Sequence, residues 1–324
     1  MKKVLSGLLV AGLMLTGCGG GSTTKKKSDV KISVIQYMQH DALDATLKGF
    51  KEELAKNGYN KDKIVVKNAS GDASNCETIA EQLVNSNPDL IYAIATPAAQ
   101  AVAKKTQDIP VVVSAVTDPA SAKLVKSNKK PGTNVTGASD LTPVADQMKL
   151  LKQLLPNAKN VAIMYTGSEA NSEFQADMAV KEAKKNGLTP IRKTVSDSND
   201  IQSVAQSIKA DAVYLPTDNL LAANIPAVTQ ILDEAGIPLI CGEKGMVEAG
   251  GLATYGIDYT NLGKMAGKMA VKILSGKGKS ATMPIEYQSA KDSKLTINRE
   301  KVEKLKVTVP DSLKAKAEFV TTKK

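Results

Sequence analysis

The chain has 324 residues, of which 42% are hydrophobic, and it carries a formal net charge of +10. A chain of this length is expected to form two domains or two lobes of one unit. Its lysines are scattered, only Arg192 and Arg299 are arginines, and there is no tryptophan. The basic stripe with arginine or aromatic readers that a nucleic-acid-binding protein needs is therefore missing, and we expect no nucleic-acid partner.

The first residues predict export and anchoring. Lys2 and Lys3 precede an apolar run that ends at Leu15, and Thr16-Gly17-Cys18 follows. This order is typical of a secretory signal peptide, and the run is shorter than the roughly 20 apolar residues that span a bilayer. The sequence Leu-Thr-Gly-Cys resembles a lipobox. We predict removal of residues 1–17 and an extracytoplasmic protein that is anchored to the cell membrane by lipid on Cys18. An ordinary signal peptide with an incidental cysteine is the alternative.

Residues 18–29 are predicted to form the lipidated cysteine and a flexible tether, because Gly, Ser, Thr and Lys dominate them. From residue 30 onward, short β-branched runs alternate with amphipathic segments. In the first series, strands are predicted at Ile32–Gln36, Ile64–Lys67, Leu90–Ala95, Val111–Ser114 and Val135–Ser139. Helices are predicted between them: one ending at Asn57-Gly58, one opened by a capping box at Ser74–Glu77, one at Pro97–Lys105 and a short one at Ala120–Lys126.

A second series begins with a predicted helix at Val144–Leu155. Strands are predicted at Val161–Tyr165, Thr189–Val195, Ala212–Leu215, Leu239–Cys241 and Leu252–Tyr255, with closing strands at Ile285–Gln288 and Leu295–Ile297. Helices are predicted at Glu169–Asn186, Ile201–Lys209, Leu220–Ala235, Gly245–Ala249 and Leu262–Leu274. Such alternation is typical of parallel sheets that are covered on both faces. The fold class predicted is therefore α/β, with two doubly wound parallel-sheet lobes.

Ligands of open parallel sheets bind beyond the carboxyl ends of the strands, so the residues that follow each strand are the candidate site. Thr96 is a candidate cap for a helix that Pro97 starts, which leaves helical N–H groups free for an anion. Asp118 is a candidate cap of the same kind. The candidate ligand-binding residues are Gln36, His40, Thr96, Pro97, Ala98, Thr117, Asp118, Thr166, Ser168, Asp218, Asn219 and Glu243.

These candidates are amphoteric. Helix N-termini and hydroxyl groups suit a carboxylate, and Asp218 or Glu243 suits an ammonium. Tyr37, Met38 and Ala98 offer an apolar wall. Together they predict a small zwitterion such as an amino acid. Each motif alone is as compatible with a purely structural helix start, and Asp218 is also a candidate cap of the following helix.

Catalysis is not predicted. His40 is the single histidine, so the chain offers neither a zinc cluster nor a credible Ser-His-Asp set. A P-loop, a nucleophile elbow and a glycine fingerprint are also missing from the sequence. Cys76 and Cys241 are predicted to be buried thiols, with a disulfide between them as the alternative. We expect no enzyme, no metal and no cofactor.

Several motifs resemble the ABC-transporter substrate-binding lipoproteins of the tryptophan/tyrosine type. The resemblance covers nearly all of residues 30–300. The matching stretches are Gln36…His40…Leu43-Asp44, Asn68-Ala69-Ser70-Gly71-Asp72, Ala95-Thr96-Pro97-Ala98-Ala99-Gln100-Ala101, Ala115-Val116-Thr117-Asp118-Pro119, Asn134-Val135-Thr136-Gly137-Ala138-Ser139-Asp140, Leu215-Pro216-Thr217-Asp218-Asn219 and Gly256-Ile257-Asp258-Tyr259…Leu262-Gly263.

This resemblance implies a type I periplasmic-binding-protein fold, in which two lobes are joined by three crossings and close on a ligand. The crossings are expected near Ser139–Pro143, Tyr255–Tyr259 and Thr282–Ile285. The first lobe would comprise residues 30–140 and 257–283, and the second residues 141–256 and 284–324. The resemblance also implies an amino-acid ligand, aromatic ones included, and permease and ATPase subunits of an ABC importer as partners. A tethered monomer is expected. The alternative function is a sensory receptor of the same fold that signals to a membrane partner.

Overall fold

The computed structural model describes residues 25–323, so the predicted signal peptide and Cys18 lie outside the described residues. Two α/β lobes are present, each built around one sheet. The first sheet has the order β11-β5-β4-β3-β1-β2, and every neighbouring pair in it is parallel. Its strands are β1 (Ile32–Gln36), β2 (Ile64–Asn68), β3 (Leu90–Ile94), β4 (Val111–Ser114), β5 (Val135–Ser139) and β11 (Glu286–Tyr287).

The central strands of the first sheet are buried on both faces, which is why they are continuous β-branched runs rather than alternating ones. Inside this core, the ring of Phe50 stacks on that of Tyr92 with centroids 3.7 Å apart. The covering helices of the first lobe are α1 (Asp41–Lys56), α2 (Ala73–Asn85), α3 (Thr96–Lys105) and α10 (Tyr259–Leu274).

The second sheet has the order β13-β12-β10-β9-β8-β6-β7. Its strands are β6 (Asn160–Thr166), β7 (Thr189–Val195), β8 (Ala212–Leu215), β9 (Leu239–Cys241), β10 (Ala253–Gly256), β12 (Lys294–Asn298) and β13 (Glu318–Val320). The pairing of β12 with β10 is antiparallel, and the other neighbours are parallel. The helices are α4 (Val144–Leu154), α5 (Ala170–Lys185), α6 (Asp200–Gln206), α7 (Asn219–Ala223), α8 (Ile225–Glu234), α9 (Lys244–Glu248), α11 (Arg299–Lys304) and α12 (Asp311–Lys314).

The predicted two-lobed α/β fold is confirmed, and the chain passes between the lobes three times. The first two crossings follow β5 and β10. The third differs, because Glu286 and Tyr287 pair with Ala138 and Ser139 in the first sheet. The chain is therefore still in the first lobe at Tyr287. It enters the second sheet at Lys294, and the crossing lies after Tyr287 rather than at 282–285.

Three local predictions were wrong. The helix expected at 120–126 is a series of turns, and Lys123 there has φ +61°, which a right-handed helix does not accommodate. The cap of α2 is Asp72, whose side chain accepts from the N–H of Asn75, and not Ser74. The helix expected at 220–235 is two helices, because Pro226 has no N–H to continue α7.

Helices α1 and α10 pack closely through glycine, although residues 57–258 separate them in sequence. A Cβ on Gly49 would lie 1.9 Å from the carbonyl oxygen of Thr260, and one on Gly263 would lie 1.9 Å from that of Thr46. Only glycine permits this approach. Both helices begin at the carboxyl edge of the first sheet, so their packing fixes the position of the residues that open them. Among residues 25–323, no helix is both long and apolar enough to cross a membrane.

Candidate ligand-binding cleft

The carboxyl edges of the two sheets face each other across a cleft, and a small cavity lies between them. His40, Thr117 and Asp140 line it from the first lobe. Asn171, Thr217, Asp218 and Glu243 line it from the second. Most of the predicted strand-end loops therefore meet at one place, as the rule for parallel sheets requires.

The first-lobe loops carry backbone strain at the cleft. Ser70 follows β2 with φ +53°, Ala95 follows β3 with φ +79°, and Ala115 follows β4 with φ +53°. Non-glycine residues in this region cost about 1–3 kcal/mol each and concentrate at ligand sites, where the surrounding structure holds them in place. Thr96 follows Ala95 directly, and Thr117 follows Ala115 by two residues.

Thr96 does not cap α3 as predicted, because the cap position belongs to Ala95 and the Thr96 side chain makes no capping hydrogen bond. Its Oγ1 is buried and has no hydrogen-bond partner within the described residues. Pro97 lies in the first turn, as predicted. The N–H groups of Thr96 and Ala98 start the helix and have no intrahelical partner. This helix start therefore offers a hydroxyl and two amide donors.

Thr117 and Asp118 separate in the structure. The Thr117 hydroxyl reaches the second lobe, where its Oγ1 accepts from Nε2 of Gln175 at 3.2 Å. Asp118 instead holds its own loop: Oδ1 accepts from the N–H of Ser121 at 2.6 Å, and Oδ2 from Nδ2 of Asn128 at 2.7 Å. Asp118 caps a turn and not a helix, since the predicted helix is not formed. It does not line the cavity.

Gln36 and His40 position the loop after β1. The Gln36 amide donates from Nε2 to the carbonyl of Met38 at 2.8 Å and to Oδ1 of Asp44 at 2.6 Å. His40 lies at the cavity, and burial lowers its pKa. The neutral imidazole faces Oδ1 of Asn219 from Nε2 at 3.3 Å, across the cleft. Gln36 thus supports the loop, while His40 contacts the second lobe.

Both carboxylate oxygens of Asp218 accept hydrogen bonds from within the second lobe. Its oxygens accept from the N–H and the hydroxyl of Thr166 at 2.6 and 2.8 Å, and from the N–H of Leu221 at 2.9 Å. It caps α7 and ties the end of β6 to the end of β8. Ser168, in contrast, is exposed and is not among the cavity residues.

Two further carboxylates are buried in the second lobe. Glu243 accepts from the N–H groups of Gly245 at 2.6 Å and Met246 at 2.8 Å, and burial raises its pKa to about 7. Glu169 accepts from Nδ2 of Asn219 at 2.5 Å, and burial raises its pKa as well. The rule that ligands bind beyond the carboxyl ends of the strands predicted Glu243 from the sequence. It missed Glu169, which lies three residues beyond the end of β6.

Asp140 and Asn171 are the cavity residues with unused acceptors. Asp140 accepts from the hydroxyl of Tyr259 on Oδ2 at 3.1 Å, while its Oδ1 is buried without a partner in the described chain. Burial raises the pKa of Asp140 to about 6. The Oδ1 of Asn171 is likewise buried and unpartnered. The sequence analysis named neither residue as a candidate, although Asp140 directly follows β5 and the strand-end rule points to it.

The arrangement offers hydrogen-bond acceptors and donors to a small polar molecule. Within residues 25–323 there is no group of three or more His, Cys, Asp and Glu side chains that is placed to hold a metal ion. Cys76 and Cys241 are both free and buried, as predicted. Neither is a cavity residue.

Comparison with known proteins identifies a family. Residues 31–321 match the family model described as ABC transporter substrate binding protein. A curated relative is the tyrosine-binding protein of Clostridioides difficile (strain R20291), which is 42% identical over 295 residues, covering 85% of each chain. An uncharacterised protein of Rickettsia prowazekii, RP367, is 27% identical over 273 residues, covering 83% of this chain and 82% of the relative.

Solved structures show the same fold. A domain from Streptococcus pneumoniae in complex with L-Trp is 40% identical, covers 90% of this chain and 100% of its own, and superposes with a TM-score of 0.87. The ligand-free, open structure of a substrate-binding protein with adhesive properties from Clostridium difficile is also 40% identical, covers 91% and 100%, and gives a TM-score of 0.70.

Proposed function

Because the chain belongs to the ABC transporter substrate-binding protein family, we propose that it captures an aromatic amino acid in the interlobe cleft and delivers it to an ABC importer. The family consists of extracytoplasmic solute-binding proteins and not of enzymes. The partners in this proposal are a permease and its ATPase, and the binding protein acts as a monomer.

The unpartnered Oδ1 of Asp140 carries the proposal. A buried acceptor without a partner costs about 1–3 kcal/mol, and in a cleft this cost is offset when a ligand supplies the donor. The ammonium group of an amino acid supplies three donors and a positive charge. It fits between Asp140 and the unpartnered Oδ1 of Asn171, which lie on opposite lobes of the cavity. Asp218, whose oxygens already have partners, is a weaker candidate for this role than the sequence analysis assumed.

The start of α3 is the candidate partner of the ligand carboxylate. Thr96 provides a buried hydroxyl without a partner, and the N–H groups of Thr96 and Ala98 lie at the positive end of the helix dipole. The strained backbone of Ala95 presents these donors. The proposed donors thus follow β3 of the first sheet, and the proposed acceptors follow β5 of that sheet and begin α5 of the second lobe.

The apolar part of the cavity suits a hydrocarbon or aromatic side chain. Ala42, Leu43, Ala115, Ala222 and Met246 line it. Similar proteins support an aromatic ligand, because one is a tyrosine-binding protein and another contains L-Trp. A non-aromatic amino acid remains compatible with the charged groups alone.

Closure of the lobes is the proposed mechanism of capture. The lobes touch through hydrogen bonds from Gln175 to Thr117 and between His40 and Asn219. At equal sequence identity, the chain superposes better on the Trp complex than on the open, ligand-free protein. A closed conformation, in which the two lobes contact each other across the cleft, accounts for this difference.

Membrane attachment through Cys18 is also a proposal. The sequence Leu15-Thr16-Gly17-Cys18 supports cleavage and lipidation. A Cys18→Ala protein is expected to leave the membrane fraction. Its full retention there would show that another anchor acts.

Calorimetric titration of the mature chain tests the ligand assignment. The protein is unfolded and refolded to remove carried-over ligand, and the common amino acids are titrated in turn. One-to-one binding of Trp, Tyr or Phe is expected. Binding of a non-aromatic amino acid would support the cleft as an amino-acid site but reject the aromatic preference. If no amino acid binds, the proposal is rejected.

A further inference from the structure

The edge of the first sheet that faces away from the cleft is strongly basic. Because all strands of this sheet are parallel, their amino ends lie on one side, together with the helix ends and loops that lead into them. We call this side the basic face. Its exposed lysines are Lys26, Lys27, Lys56, Lys61, Lys63, Lys126, Lys277 and Lys279.

Hydrogen bonds place these segments side by side. Near β1, Nζ of Lys27 donates to the carbonyl of Asn57, just beyond the end of α1. At the other end of the sheet, the N–H of Gly132 donates to the carbonyl of Ala281 at 2.9 Å. That bond joins the loop that carries Lys126 to the loop that carries Lys277 and Lys279. The face therefore extends across the width of a six-stranded sheet, about 25 Å at 4.8 Å per strand.

The charge on this face is not compensated within the described chain. No lysine of the basic face has an ion-pair partner there, and Asp89 is already paired with Lys25 at 2.6 Å. The carboxylates left at this edge are Asp29, Asp62 and Asp108. At the corresponding edge of the second lobe, Lys185 is paired with Glu182, and Lys301 and Lys304 with Asp233. The salt bridges within the described residues do not include Lys159, Lys184 or Lys209 at that edge, so the position of the predicted anchor, and not charge alone, distinguishes the two lobes.

We propose that the basic face lies against the anionic headgroups of the membrane, and so holds the first lobe on the bilayer. The described chain begins on this face, at Lys25, whose Nζ contacts Asp89 immediately before β3. The seven Cα–Cα steps from Cys18 to Lys25 span at most about 25 Å. A lipid on Cys18 would therefore bring this face, and not the cleft, next to the membrane. This inference rests on the proposed anchor but not on the identity of the ligand.

The energetics favour a flat anionic partner. A lysine close to an anionic bilayer strengthens binding by about fivefold, and the effect decays within a Debye length. A broad face with dispersed lysines gathers many such small contributions. The scarcity of arginine argues against a bidentate phosphate site.

Vesicle binding of the mature chain with Cys18→Ser, which carries no lipid, tests the proposal. Cosedimentation is measured with vesicles of phosphatidylglycerol and phosphatidylcholine, and with phosphatidylcholine alone. Binding to the anionic vesicles only is expected, weakening as salt rises. The triple variant K61E/K63E/K277E is expected to lose at least tenfold in partitioning. The matched control K159E/K184E/K209E changes the same charge at the amino edge of the second lobe and should lose much less.

Three results would overturn the proposal: no binding to anionic vesicles, equal binding to neutral ones, or equal loss in the two triple variants. A variant that binds vesicles normally but stimulates a reconstituted transporter poorly would assign the face to the permease instead. Amino-acid titration of both variants checks their folding. A failed ligand assignment would leave the vesicle result intact, so failures of the two proposals are distinguishable.

Discussion

Tyr259 donates a hydrogen bond to Asp140 at 3.1 Å, and this bond joins two of the three crossings between the lobes. Asp140 follows β5 at the first crossing, and Tyr259 opens α10 at the second. The other oxygen of Asp140 faces the cavity without a partner in the described chain. A ligand that binds this oxygen therefore acts directly on the segments about which the lobes move.

Replacing Asp140 by Asn is expected to weaken amino-acid binding by about ten- to a hundredfold. The substitution removes the charge that meets the ammonium group, and hydrogen bonds to charged groups contribute about 1.5–3 kcal/mol. Calorimetric titration at pH 7.5 measures the effect. Asp108→Asn is the control, because Asp108 is exposed at the opposite edge of the same lobe. An Asp140→Asn protein with unchanged affinity would disprove the role of Asp140.

Ligand affinity is expected to fall as the pH drops through about 6. Burial raises the pKa of Asp140 to about 6, and an ammonium ligand favours the ionised form, so protons compete with the ligand below that pH. The Tyr259 hydrogen bond lowers this pKa. Tyr259→Phe should therefore move the midpoint to higher pH, and Asp140→Asn should remove this step. Titrations between pH 5 and 8 test both shifts, and identical profiles for all three proteins would contradict them.

Thermal stability of the ligand-free protein is expected to fall as the pH rises from 6 to 8. Burial raises the pKa of Glu243 from its ordinary value of 4.5 to about 7. The native state then binds more protons than the unfolded state in this range, so stability is highest at low pH and is lost through the native pKa. Glu243→Gln should flatten the dependence of Tm on pH. An unaltered slope would show that other carboxylates cause it.

Gly263→Ala is expected to destabilise the first lobe by about 1–3 kcal/mol. The new Cβ would lie 1.9 Å from the carbonyl oxygen of Thr46, and the overpacking outweighs the better helix propensity of alanine, about 1 kcal/mol. Urea unfolding measures the loss. Lys268→Ala, on the exposed side of the same helix, is the control and should be close to neutral. Equal stability of the two variants would contradict the close packing of α1 and α10.

Lys323→Ala is expected to lower ligand affinity by less than about fivefold, with a larger effect at low salt. The Lys323 ammonium lies 3.0 Å from Asp41 on the first lobe and 2.7 Å from Glu248 on the second. It thus links the lobes when they are close, but exposed ion pairs contribute only about 0.2–1 kcal/mol. Dissociation rates at two salt concentrations check this. A salt-independent change would point to a cause other than the ion pair.

The sequence by itself determined the alternation of strands and helices and the edge of each sheet at which the strand-end loops meet. Continuous β-branched runs such as Val111–Ser114 predict strands that are buried on both faces of a parallel sheet. Parallel strands bring their carboxyl ends to the same edge of the sheet. The ends of the chain were harder to predict. The strand β13 and the helices α11 and α12 were not predicted, because such short elements have little periodicity of their own.

Only the tertiary structure decided which candidate side chains are free to bind. Asp118 and Asp218 are plausible ligands in the sequence, yet folding gives both of them backbone partners. Asp140 acquires one partner, Tyr259, from a segment more than a hundred residues away and keeps one oxygen unused. The local sequence pattern specifies where a polar residue lies relative to the strands and helices. Whether its hydrogen bonds are satisfied depends on distant segments that only the folded chain brings together.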